Sequence, residues 1–271
     1  MTRLDDVLAA TRAEGRAALV GYLPAGFPTV DGAVEAMTAM VRGGVAVVEV
    51  GLPYSDPLMD GPTIQQAVEV ALVNKTSIGD VVTTVREVAA TGAPTLLMTY
   101  WNPIERHGPR RLADELAAAG CAAVITPDLT PDEAGTEPSD WLGITDATGL
   151  GRIFLVAPSS TDERLRMTAA HCRGFVYAAS TMGVTGTRGE VGDTAEALVK
   201  RVRAVTDIPV CVGLGVSNGS QAAQVASFAD GVIVGSAFVR ALLDASTPKD
   251  GCRAVESLAA ELAEGVRVGR R

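Results

Sequence analysis

Two carboxylates, Glu49 and Asp60, stand where a carboxylate is hardest to explain as decoration. Glu49 interrupts the aliphatic run Val47-Val48-Glu49-Val50-Gly51. An ionised group inside such a run is costly to bury, so it either faces a polar cavity or serves as a structural group bonded to a neighbouring strand. In a cavity its pKa would rise, and it could both give and take a proton near neutral pH. The segment that follows, Leu52-Pro53-Tyr54-Ser55-Asp56-Pro57-Leu58-Met59-Asp60-Gly61-Pro62-Thr63, holds three prolines and two aspartates. Proline fixes φ and lowers the entropy lost on ordering, so this loop is built to keep a shape. Asp60 comes eleven residues after Glu49, just before Gly61-Pro62. It can turn its carboxylate over the same mouth, or it can cap a helix that opens near Pro62. Asp56 reads as a turn residue or as a contact to another protein.

Three further segments have the composition of anion sites. Gly213 and Gly215 follow one aliphatic run, and Gly235 and Ser236 follow the next. Glycine lets backbone N–H groups come close to a phosphate, and a helix N-terminus adds its dipole, so no Lys or Arg is required. Between Ser180 and Gly192 lie four glycines and three threonines, Thr181, Thr185 and Thr187, with Gly186 at the centre. That is the composition of a mobile lid with hydroxyl and N–H donors, or of a plain surface loop. Tyr22, Tyr100 and Tyr177 each end a predicted strand, where aromatic rings can either sandwich a flat apolar ligand or simply pack.

The elements that must hold these groups follow from periodicity. Apolar runs occur at 17–22, 46–50, 94–100, 121–126, 152–157, 174–179, 209–213 and 231–235. Continuous rather than alternating runs mark strands buried on both faces of a parallel sheet. Amphipathic stretches separate them. Thr161-Asp162-Glu163 and Ser77 carry helix-start signals, and Gly92, Gly120 and Gly174 stand where helices should stop. Eight strand–helix units without a linker predict an α/β fold, a (β/α)8 TIM barrel with a short N-terminal helix, residues 1–271 forming one catalytic domain. An open doubly wound sheet is the competing arrangement, but no Gly-x-Gly-x-x-Gly opens the first helix. In a barrel the glycine pairs fall after strands seven and eight, where phosphate is commonly held.

Composition narrows the partners. Hydrophobic residues make up 47%, aromatic residues 4%, and the net charge is −9. An acidic chain poor in aromatics is unsuited to nucleic acid or an anionic membrane surface. No apolar stretch reaches the roughly 18 residues of a spanning helix, and the acidic opening does not read as a secretion signal. Cys121, Cys172, Cys211 and Cys252 form no Cys-x-x-Cys pair and read as reduced thiols, which predicts a cytoplasmic location. With only His107 and His171, a zinc site or a Ser-His-Asp triad has little material, and no metal is expected.

From about Arg16 to Ala241 the chain resembles the tryptophan synthase alpha subunit family. The likeness is carried by Glu49-Val50-Gly51-Leu52-Pro53-Tyr54-Ser55-Asp56-Pro57 and Asp60-Gly61-Pro62-Thr63-Ile64-Gln65, with Met98-Thr99-Tyr100-Trp101-Asn102-Pro103, Thr126-Pro127-Asp128-Leu129 and Gly183-Val184-Thr185-Gly186. The resemblance implies a lyase that splits indole-3-glycerol phosphate into indole and glyceraldehyde 3-phosphate. It casts Glu49 as general acid/base and Asp60 as the acceptor of the indole N–H. It assigns the phosphate to N–H groups of Gly186, Gly213, Gly215, Gly235 and Ser236, with Tyr177 nearby. Thr185 would close the lid against Asp60, and Tyr22 and Tyr100 would wall the indole. Tyr22 stands where many relatives carry Phe, and Thr181 where some carry Arg. No cofactor is implied in this chain; pyridoxal phosphate would belong to a beta subunit that receives the indole in an alpha2beta2 complex. Pro53 to Pro57 and Asn102 to Ile104 are where that contact is expected. A subunit that only activates its partner, or another phosphate-binding barrel enzyme, are the alternatives.

Overall fold

The computed structural model describes residues 3–135, 137, 139–180, 188–213 and 215–269, with only the backbone at Arg3 and at 188–192. The aliphatic runs form β1 (Ala18–Pro24), β2 (Val47–Gly51), β3 (Thr95–Met98), β4 (Cys121–Ile125), β5 (Gly151–Ile153), β6 (Leu155–Val156), β7 (Val176–Ala179), β8 (Val210–Gly213) and β9 (Gly231–Val234). Neighbours are parallel throughout, in the order β5-β4-β3-β2-β1-β9-β8-β7-β6. The two edges of this sheet are two pieces of one chain segment, so it wraps around as a barrel and the doubly wound alternative is excluded.

One expected strand differs. The run at 152–157 is split, because the segment changes partners at Phe154: β5 lies on β4 and β6 lies on β7. The Phe154 carbonyl accepts the Tyr177 N–H at 3.2 Å, which keeps the two sides in contact.

Around the sheet run α1 (Arg3–Ala13), α2 (Val30–Arg42), α3 (Pro62–Val73), α4 (Ile78–Ala89), α5 (Trp101–His107), α6 (Pro109–Ala118), α7 (Trp141–Thr148), α8 (Asp162–His171), α9 (Arg188–Arg203), α10 (Gly219–Ala226), α11 (Ser236–Leu243) and α12 (Pro248–Val268). Both predicted helix starts are present. Ser77 and Asp80 form a reciprocal capping box on α4, and the Thr161 hydroxyl accepts the Arg164 N–H on α8. Gly92, Gly120 and Gly174 all take positive φ, as helix-ending glycines do.

Side chains alternate along each strand, which sorts the core into two shells. Leu19, Leu23, Val48, Val50, Leu97, Val212 and Val234 face outward and pack under the helices. Ala18, Val20, Val47, Leu96, Cys211 and Ile233 face inward and fill the barrel. Helix α1 closes one end: Leu4 and Leu8 are buried in that inner cluster, and filling this end stabilises the barrel by about 1.5–3 kcal/mol per leucine. The same alternation that puts Val47 inside puts Glu49 inside, one layer further toward the mouth.

Cys121, Cys172 and Cys211 are buried free thiols and Cys252 is half-buried. No helix among the described residues is long and apolar enough to cross a membrane. Among the same residues no group of three or more His, Cys, Asp or Glu side chains is arranged to hold a metal ion.

Candidate active site

The barrel mouth holds a cavity of about 370 Å³. Glu49 and Tyr22 enter it from β2 and β1, where they are direct register partners and therefore share the inner face. Tyr177 from β7, Gly213 at the end of β8, Gly215 just beyond it, and Gly235 and Ser236 after β9 also line it, and Asp60 and Gly61 close over it from the loop after β2. The sequence thus pointed to groups that the fold does bring together. Thr185 and Gly186, with Thr181, lie outside the described residues.

Glu49 is 1% exposed and its Oε2 has no hydrogen-bond partner among the described residues. Burial, with the Asp60 charge as a smaller contribution, pushes its pKa up to about 8. It is therefore mostly protonated at neutral pH, and close enough to the solution pH to lose that proton during a reaction. Asp60 is raised by burial alone. Its carboxylate does not cap α3: the N-cap is Gly61, with no side-chain bond to the helix, and Pro62 occupies the first turn. Instead the Asp60 carbonyl accepts the Gln65 side-chain N–H at 2.7 Å, which fixes its backbone and leaves the carboxylate to the cavity.

Glu49 also makes stability depend on pH. Its folded pKa lies above the unfolded value, so the folded chain keeps a proton that the unfolded chain has released between about pH 4.5 and 8. Stability should therefore fall as pH rises through that window and level off above it. Thermal melts of the parent and Glu49→Gln at pH 5 and pH 8 test this: the advantage of the Gln variant should grow with pH to a few kcal/mol. An advantage that does not change with pH would refute it.

The tyrosines divide. Tyr22 and Tyr177 line the cavity, but neither ends its strand: two more residues of β1 follow Tyr22, and Tyr177 is the second residue of β7. Tyr100 follows β3 and does not line the cavity. Its hydroxyl accepts the N–H groups of Leu58 and Met59, each at 3.1 Å, and its ring lies 5.3 Å from that of Tyr54. It holds the loop that carries Asp60 from below, a task the sequence reading gave to the prolines alone. Asn102 adds a bond to the Tyr54 hydroxyl at 2.9 Å, and Asp128 accepts the Trp101 N–H with both oxygens. Asp56 lies in a bend of this loop, its carboxylate accepting from the Ser55 hydroxyl. Met59, Ile64, Met98 and Ser180, from segments already singled out, also line the cavity, with Ala179 and Ile233, which carry no signal beyond ordinary core composition.

The glycines have a second reason to be glycine. A Cβ at Gly213 would sit 2.7 Å from the Tyr177 hydroxyl, and one at Gly235 would sit 3.0 Å from the Tyr22 ring. A Cβ at Gly51 would collide with the Tyr22 hydroxyl and lie 2.7 Å from Cε2 and Cζ. Bare backbone at these positions makes room for the two rings as well as for a ligand. Gly235 is the N-cap of α11 and lines the cavity with Ser236, so the start of that helix, where backbone N–H groups lack helical partners, lies at the cavity.

A family profile described as tryptophan synthase alpha chain matches residues 8–267. The chain belongs to the tryptophan synthase alpha chain family. It is similar to the alpha chain of Thermobifida fusca, with 59% identity over the whole of both chains. The alpha chain of Mycobacteroides abscessus is 57% identical, covering 98% of this chain and 97% of the relative. Among solved structures, tryptophan synthase from M. tuberculosis in its aminoacrylate-bound form has a TM-score of 0.88 at 50% identity, covering 98% of this chain and 100% of that one. The alpha-chain barrel is thus the fold of this protein, and Glu49, Asp60 and the start of α11 occupy one cavity within it.

Proposed function

We propose that the chain cleaves indole-3-glycerol phosphate to indole and glyceraldehyde 3-phosphate, as the alpha subunit of tryptophan synthase. The observation that carries this reading is a buried acid, Glu49, with its pKa near 8, facing the same cavity as Asp60 and a helix N-terminus.

The reaction needs a proton delivered to C3 of the indole ring, cleavage of the bond from C3 to the glycerol chain, and removal of the proton from the adjacent hydroxyl, which becomes the aldehyde. Protonated Glu49 supplies the first proton, and its conjugate base helps remove the second. As C3 is protonated, positive charge develops on the ring nitrogen. Asp60 accepts the indole N–H and stabilises that charge. The two carboxylates take different states because Glu49 is the more deeply buried and also feels the Asp60 charge.

Phosphate binds the N–H groups of Gly235 and Ser236 with the backbone at Gly213 and Gly215. Glycine N–H groups and the dipole of α11 explain how a chain of net charge −9 can hold an anion. Tyr22 forms one wall of the indole subsite. The family carries no cofactor of its own. The beta subunit holds pyridoxal phosphate and consumes the indole, and it docks on the loop from Pro53 to Pro57. The whole chain, 1–271, acts as one catalytic unit in the cytoplasm, consistent with its buried free thiols.

The test is indole release from indole-3-glycerol phosphate by the purified chain, alone and with a beta subunit. The parent should turn over, faster with the partner. Asp60→Asn should lower kcat by about a hundredfold, since it removes the negative charge but keeps the shape. A parent that stays silent even with its partner would refute the lyase reading, and full activity in Asp60→Asn would refute the role of Asp60.

A further inference from the structure

Tyr22 contributes more than a flat wall. It is 7% exposed and stands beside Glu49 across the β1–β2 ladder, on the same inner face. Its ring is clamped between two bare backbones, with Gly235 against Cδ1 on one edge and Gly51 against Cε2, Cζ and the hydroxyl on the other. The clamp fixes the direction of the phenol. The hydroxyl lies over Gly51, the last residue of β2, from which the loop to Asp60 departs.

We propose that the Tyr22 hydroxyl is a positioning group for the carboxylate pair: it donates a hydrogen bond to the ionised Asp60 carboxylate and holds it toward the indole subsite while Glu49 keeps its proton. This rests on the lyase reading of the same cavity and extends it by one donor.

The surroundings favour this donor. Among the described residues, the ionisable groups that face Tyr22 are Asp60 from the loop, Glu49 from β2, Tyr100 after β3 and Tyr177 from β7, while Cys211 of β8 faces Glu49 and Tyr177. All are acids, and no cation is among them. Asp60 is partly withdrawn from water, so its ionised form gains from a neutral donor in such company. Burial holds the Tyr22 phenol well above its ordinary pKa, so it remains a donor throughout the neutral range. The Tyr177 hydroxyl serves the other wall, lying over Gly213. No hydrogen bond from a described group occupies the Tyr22 hydroxyl, and Asp60 lines the same cavity, so its proton is available to that carboxylate.

Tyr22→Phe deletes one oxygen and keeps the ring, and therefore the indole wall. With a beta subunit and indole-3-glycerol phosphate, Tyr22→Phe should lose about tenfold in kcat at pH 7 while KM stays within about twofold. The acid limb of kcat/KM should move to higher pH by about half to one unit, because ionised Asp60 loses a donor and its pKa rises. In an Asp60→Asn background the same substitution should cost less than about twofold, since its target is gone. A Tyr22→Phe profile that coincides with the parent, or a loss that multiplies in full in the Asp60→Asn background, would overturn the proposal. Titration of the Asp60 carboxyl by carbon-13 NMR, without substrate, keeps the two readings apart. A higher Asp60 pKa in Tyr22→Phe supports the hydrogen bond even if the parent proves silent on indole-3-glycerol phosphate, and an unchanged pKa refutes it even if the parent is active.

Discussion

Glu49→Gln should lower kcat for indole formation by about a thousandfold, with KM little changed. Gln keeps the shape and the buried amide-sized volume, so the ground-state cavity survives. What it lacks is a proton to deliver to carbon and a base to take one back, and a positioned acid–base group contributes on the order of 10²–10⁴. The upper part of that range applies because one residue serves both transfers and because Glu49 enters the reaction protonated without an external donor, at a pKa of about 8. The parent should correspondingly lose activity as pH rises through about 8, and the residual rate of Glu49→Gln should lack that limb. Steady-state rates from pH 6 to 9 give both quantities. A Gln variant within about tenfold of the parent would transfer the acid–base role to another group. The same substitution removes a carboxylate whose burial destabilises the fold at neutral pH, so loss of activity and gain in melting temperature should appear in one variant. That pairing marks a residue retained for chemistry rather than for packing.

Gly265→Ala should destabilise the protein by about 2–3 kcal/mol, against the usual preference of helices for alanine. Gly265 is a buried residue of α12, and a Cβ there would collide with the Gly219 carbonyl oxygen of α10 and come within 2.9 Å of its Cα. One turn further, Gly269 meets the backbone of Ala223 in the same way. Residues four apart on one helix thus face residues four apart on the other, and the axes approach as closely as bare backbone allows. The Glu261 carboxylate, one turn earlier on α12, accepts the Gly219 N–H at 2.8 Å and locks the register. A rigid backbone cannot yield as a side chain would, so the helices must separate. Overpacking of this kind outweighs the roughly 1 kcal/mol that alanine gains over glycine in a helix. Gly79 in α4 is the control: it is exposed, and its nearest neighbour lies 3.6 Å away. Gly79→Ala should raise stability slightly. At roughly 2–4 °C per kcal/mol, the two melting temperatures should move in opposite directions, and a Gly265→Ala protein as stable as its parent would sink the argument.

Much of the barrel was legible because parallel strands buried on both faces leave unbroken aliphatic runs, and each run found here is a strand or a pair of strands. Glu49 was legible for the converse reason, as a charge set into such a run. The split at Phe154 was not, because nothing in Arg152-Ile153-Phe154-Leu155-Val156 breaks a strand locally; the change of partner is set by neighbours that come from distant parts of the chain. Tyr100 was misplaced for a similar reason. A tyrosine near a strand end announces a polar tip, but whether that tip meets a ligand or the backbone of Leu58 and Met59 depends on a loop some forty residues earlier. The glycines were recognised as unusual yet only half understood. Their need to be small comes from Tyr22 and Tyr177, which reach them from other strands.

The split segment also describes how the barrel is put together mechanically. The carboxylates come from its first half, with β1 and β2, and the glycines that line the cavity from its second half, with β8, β9 and α11. On one side these halves are stitched by the continuous β1–β9 ladder, from Ala18 paired with Gly231 to Gly21 paired with Val234, which sets the span between the two carboxylates and those glycines. On the far side they meet where the fifth strand passes from one neighbour to the other. That seam is itself tied to the cavity, because Tyr177, which lines the cavity, pairs with Leu155 and donates its N–H to the Phe154 carbonyl.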